Sequence, residues 1–191
     1  MENDSITTFR STLLQTLLRT LSERGLLGGE LLAAEELNEK WKAAAPAYMA
    51  DAVPQMTDYP AAAVAWAGYV GMGAAALWDG DWERLRDDKR DVYRFFADGR
   101  GFDSLDEYVS EEFLGMPSDG ADAGRVADAM LACSRTALSM MRRTFEAQSR
   151  DAFLAFAAAA GLFFELGVAV ELFRRGYKYV KVTFPAAGVV Q

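Results

Sequence analysis

Residues 61–78 run for 18 positions without a charge, and within them Ala63, Ala67, Gly71 and Ala75 recur every fourth residue. That spacing puts all four on one helix face. The face carries nothing larger than a methyl group, so a second helix can approach it closely. A chain with such a segment must cover it, with lipid or with other helices, and length alone admits either. Composition favours other helices. Alanine and glycine drive membrane insertion weakly, and Leu, Ile and Phe are nearly absent from the segment. A second apolar run, Ala157 to Phe173, carries Glu165 and Glu171. Each would cost roughly 2.5–3.5 kcal/mol near a bilayer centre. Basic residues flank that run on both sides, so no orientation in a membrane is specified. The expectation is two core helices and no membrane span.

The rest of the chain keeps helical period. Ser5 can cap a first helix with Ile6, Phe9, Leu13, Leu17 and Leu21 on one face, ended by Gly25. A second helix is expected over about 30–44, stopped by Pro46, with a short helical piece from Tyr48 to Val53. Asp58 is expected to cap the small-residue helix, with Pro60 in its first turn. Asp79-Gly80-Asp81 reads as a stop and a new start, followed by one helix through "DWERLRDDKRDVYRFFADG". "SLDE", Ser104 to Glu107, matches a capping box. After the loop "PSDGADAG" no proline occurs from Asp122 to Tyr177, and "EAQSRD" suggests a turn between two long antiparallel helices. The end, "YKYVKVTF", alternates like a strand without a partner. The reading is all-α: a bundle of about six or seven helices with a long C-terminal antiparallel helical hairpin. It forms a single domain over 1–191, with the loop 115–122 as an internal joint and 177–191 as an extended tail.

Composition excludes much chemistry. The chain has no histidine, which removes the commonest general base and nearly all zinc, copper and haem ligation. Its single cysteine, Cys133, excludes an internal disulfide. Cys133 shares a helix face with Val126, Met130, Ala137 and Met140, so it reads as a small core residue. A net charge of −8 opposes nucleic acid as a partner. "MENDSITTFR" lacks the pattern of a secretory signal, so a cytoplasmic location is expected.

Asp87-Asp88-Lys89-Arg90-Asp91 has the form D-D-x-x-D. It resembles the aspartate-rich motif of isoprenyl diphosphate synthases. That resemblance implies an all-α fold with magnesium and diphosphate held there by carboxylates on one helix face. It covers five residues, and the second aspartate-rich helix of that family has no counterpart in this chain. The competing reading is a solvated helix face. Glu83–Arg86, Asp87–Arg90 and Asp91–Arg94 would pair there above a buried Trp82, Leu85, Val92 and Phe96. Asp79, Asp81 and Glu83 do not continue into a calcium loop. No metal site and no cofactor is implied.

Glu165 and Glu171 are separated by about 600° of helix rotation and do not face each other. Glu171 has Arg174, Arg175 and Lys178 on its own side and is expected to reach solvent. Glu165 has only apolar neighbours at helical spacing, so its partner must come from elsewhere. Arg135 interrupts the row Leu131, Leu138, Phe145, and in a hairpin it would sit within a turn of Glu165. The expectation is a buried Arg135–Glu165 ion pair that fixes register. With no catalytic constellation, the reading is a non-enzymatic helical protein acting through protein contacts or as a homo-oligomer. The alternative is a small-molecule-binding bundle with an aromatic, Met-lined pocket anchored by Glu165 or Arg135.

Overall fold

The computed structural model describes residues 4–179. Among them the chain is all-helical. Its eight helices are α1 (Asp4–Glu23), α2 (Glu35–Ala52), α3 (Pro60–Gly80), α4 (Trp82–Arg86), α5 (Val92–Arg100), α6 (Leu105–Glu112), α7 (Ala121–Thr144) and α8 (Arg150–Arg174). A short 3₁₀ turn, Val53–Met56, joins α2 to the approach of α3. The strand-like "VKVTF" and the rest of 180–191 lie outside the described residues.

The centre of the bundle is the pair α3 and α8, which pack along each other more extensively than any other two elements. Every residue from 67 to 77 and from 166 to 172 is buried. The two helices can lie this close because glycines face each other across the crossing. A Cβ added to Gly71 would sit 2.1 Å from the Phe164 carbonyl oxygen, and one on Gly167 would sit 1.9 Å from the Gly68 carbonyl oxygen. Neither space admits a methyl group. The row Ala63, Ala67, Gly71, Ala75 is buried throughout, as its side-chain sizes demand. Both helices are long and apolar enough to cross a membrane, and other helices bury 78% and 67% of their most apolar windows.

Around this pair the amphipathic helices lay down their apolar faces. On α1 these are Phe9, Leu13, Leu17 and Leu21, and Gly25 leaves the helix at φ +74. On α2, Trp41 stacks on Phe164 of α8, with ring centroids 4.9 Å apart. Tyr48 is fully buried, and its hydroxyl donates to the Ala63 carbonyl at 2.8 Å while accepting from the Ala67 N–H at 2.9 Å. One side chain thus bridges an i, i+4 backbone pair inside α3.

Local expectations fail at five places. Ser5 does not cap α1, which already contains it. Pro46 does not stop α2, which starts at Glu35 and runs through it. Pro46 and Lys42 are both exposed, so water can reach the Lys42 carbonyl that loses its donor, while Trp41, Ala44, Tyr48 and Met49 hold both sides of the proline in the core. Asp58 does not cap α3; Tyr59 holds the N-cap position and Pro60 follows it. Ser104 stands at the N-cap of α6, but its side chain makes no capping bond. The helix expected through "DDKRD" breaks there into α4 and α5. Asp91 caps α5 by accepting from the Arg94 N–H at 2.8 Å, and Asp88 accepts from the Arg90 N–H at 2.9 Å. Short acidic side chains compete with the helix for its own backbone donors.

Candidate functional site

The two glutamates of α8 exchange the roles expected of them. Glu171 is fully buried. Its carboxylate accepts from Arg175 at 2.7 Å and from two nitrogens of Arg174 at 2.8 and 3.0 Å. The network continues outward. Arg174 donates to the Leu114 carbonyl at 2.7 Å, Arg175 donates to Asp79 at 3.0 Å, and the Tyr177 hydroxyl donates to Asp79 at 2.5 Å. These bonds tie the end of α8 to the end of α3 and to the loop after α6. The Tyr177 hydrogen bond, followed by that from Arg175, holds the Asp79 carboxyl below its usual range. The arginines next to Glu171 were foreseeable from spacing; its complete burial was not.

Glu165 is only partly buried and pairs with Arg10 of α1 at 2.7 Å. It does not pair with Arg135. That arginine is exposed on α7 and makes no ion pair among the described residues. α7 and α8 follow one another through the turn at 145–149, but the main packing surface of α8 is taken by α3 and then α1, with little contact to α7. The row straddles the margin of the core: Leu131 is 37% exposed and Arg135 and Arg142 are exposed, whereas Leu138 is buried and Phe145 partly buried. Neither Glu165 nor Arg135 lines the hollows described below.

The aspartate-rich segment holds no metal-like cluster. Asp88 pairs with Arg90, Asp87 with Arg86, and Asp91 serves as a cap. Among the described residues no group of three potential ligands converges. Cys133 is buried, which pushes its thiol up to about 12. At that value it is not a nucleophile at neutral pH.

A groove of about 480 Å³ lies at the start of α3. The loop before α3 contributes Asp58 and Tyr59. The helix itself contributes Ala62, Trp66 and Tyr69; α6 contributes Asp106; and α7 contributes Ala127, Met130 and Leu131. Small residues make the hollow. Met130 packs its sulfur over Gly68, 3.2 Å from where a Cβ would stand. Trp66 and Tyr69 meet edge to face at 5.5 Å. A second hollow of about 200 Å³ continues from Tyr69, Asp106 and Ala127 to Glu107, Ser110, Ser118 and Asp119.

The Trp66 side chain lines this groove, and its indole Nε1 is buried with no hydrogen-bond acceptor. Tyr69 is 2% exposed. Burial raises the Tyr69 pKa, and the nearby Asp106 charge raises it further. Burial also raises the Asp106 carboxyl, against the backbone N–H bond from Glu107 that lowers it. A buried indole N–H without an acceptor costs about 1–3 kcal/mol, and such costs gather where a ligand completes the set.

Comparison with protein-family models, with curated proteins and with solved structures finds no match.

Proposed function

We propose that this chain is a small-molecule-binding helical protein, and that its site is the Trp66–Tyr69–Met130 groove. The observation that carries the reading is the buried, partnerless N–H of Trp66, whose side chain lines a mostly apolar groove of about 480 Å³. Ligand pockets of this size are lined by apolar and aromatic groups, with a few polar atoms that fix orientation. The ligand has an apolar body and an acceptor for Trp66. Binding, rather than catalysis, is favoured by a chain without histidine and with a buried, protonated cysteine. The acidic charge and the packing of both apolar helices inside the bundle favour a cytoplasmic, non-membrane setting.

The test is uptake of a neutral apolar dye, N-phenyl-1-naphthylamine. Its fluorescence rises on binding to the wild-type protein. Ala62→Trp, which fills the groove from a half-exposed position, abolishes the rise while the protein stays folded. No uptake, or undiminished uptake by Ala62→Trp, contradicts the reading.

A second reading, a homo-oligomer or a protein partner, draws on the groove's rim, where Tyr59 is 65% and Leu131 37% exposed. A light-scattering mass equal to the monomer at every concentration removes the homo-oligomer.

A further inference from the structure

Resting on that reading of the groove, we infer that its ligand is an organic cation: a substituted ammonium group on an apolar body that also carries the acceptor for Trp66. Three rings line the groove, those of Tyr59, Trp66 and Tyr69. Every charged side chain in it is a carboxylate, Asp58 and Asp106, and the adjoining hollow adds Glu107 and Asp119. No lysine or arginine lines either space.

Several partly or fully buried carboxylates elsewhere are engaged by arginine: Asp51 by Arg94, Asp88 by Arg90, Glu165 by Arg10, and Glu171 by Arg174 and Arg175. Asp58, Asp106, Glu107 and Asp119 make no ion pair among the described residues. Asp106 is moreover partly buried, and a partly desolvated carboxylate without a counter-ion favours a cation beside it. Aromatic faces attract ammonium groups through the ring quadrupole, most strongly in a site shielded from water. A neutral ligand would leave these carboxylates without partners, and an anion would be repelled by them. Tyr69 and Asp106 line both the groove and the adjoining hollow.

The experiment compares benzyltrimethylammonium with neopentylbenzene, its neutral isostere, as competitors for bound N-phenyl-1-naphthylamine. The cation displaces the dye at about tenfold lower concentration than the isostere. Asp106→Asn and Asp58→Asn each shrink that advantage while neopentylbenzene displaces as before. Two variants on separate elements guard against one that fails to fold. Equal displacement by the two compounds, or an advantage that survives both substitutions, overturns the cation inference and leaves the groove reading standing. A protein that takes up no dye in the first place overturns both.

Discussion

One terminal nitrogen of Arg10 lies 2.7 Å from both carboxylate oxygens of Glu165, joining the first helix to the last across 155 residues of sequence. The two side chains keep 38% and 28% of their exposure, so solvent screens much of their attraction. A double-mutant cycle with Arg10→Met and Glu165→Gln is expected to give a coupling of about 0.5–1 kcal/mol in thermal or denaturant unfolding. Arg135→Met with Glu165→Gln is expected to be additive. Coupling at Arg135 and none at Arg10 would contradict the observed packing of α1 on α8.

The glycine contacts of α3 and α8 carry a larger penalty. Gly71→Ala and Gly167→Ala each place a methyl group against backbone rather than against a side chain that can rotate away. Each is expected to cost more than about 3 kcal/mol, the upper end for overpacking. Gly124→Ala, on exposed α7 with open space around it, is expected to be neutral or stabilising. Chemical denaturation of the three variants checks the ranking.

Glu171→Gln leaves two arginines without their carboxylate at the end of α8. Removing one member of a buried charge network costs up to about 3–5 kcal/mol. Since Arg174 and Arg175 retain contact with water, about 2 kcal/mol is expected, measured by denaturant midpoint. Glu165→Gln is expected to cost less than half as much. The reverse order would contradict the burial difference between the two glutamates.

Asp106 and Asp79 respond to pH with opposite sign. The Asp106 pKa is raised on folding, above its ordinary 3.8. Between 3.8 and the raised value the folded state holds more protons than the unfolded state, so stability falls as pH rises. At pH 7 the ionised Asp106 therefore opposes folding. Asp106→Asn is expected to raise the Tm at pH 7, with the gain disappearing below pH 3.8. Asp79 is the ordinary case. Its pKa is lowered, so its contribution is present above 3.8 and is lost as pH falls through the folded value. Asp79→Asn is expected to lower the Tm at pH 7 and to change little at the acid end of the same titration. Parallel melting curves from pH 2 to 8 separate the two.

Much of this architecture is legible in the residues, because periodicity reports which face of a helix is buried. Leu13, Leu17 and Leu21 mark the buried face of α1, and Ala63, Ala67, Gly71 and Ala75 mark the one on which α3 receives a close neighbour. Periodicity does not report which helix comes to that face. The choice of Arg135 as partner of Glu165 assumed that sequence-adjacent helices pack on each other, whereas the Gly68–Gly167 approach gives α8 to α3. The same rule, a charge on the margin of an apolar stripe, applies equally to Arg10, which lies at helical spacing from Ile6, Leu13, Leu14 and Leu17. The break at Asp87–Asp91 was hidden because its charges also suit a helix surface. The groove was partly visible. Tryptophan and the Met-rich helix suggested a pocket, and Trp66 and Met130 line it, but Asp58, Tyr59 and Asp106 meet them only after three separate elements have folded together.

The central claim is that the groove beside Trp66 takes up a ligand, and the indole N–H region of a ¹H–¹⁵N NMR spectrum reads it directly. The four tryptophans, Trp41, Trp66, Trp78 and Trp82, give four signals, and Trp66→Phe assigns the relevant one. On addition of N-phenyl-1-naphthylamine the Trp66 signal is expected to shift in a saturable way while the other three hold their positions. A Trp66 signal that stays fixed at saturating dye, or four signals that move together, would contradict it.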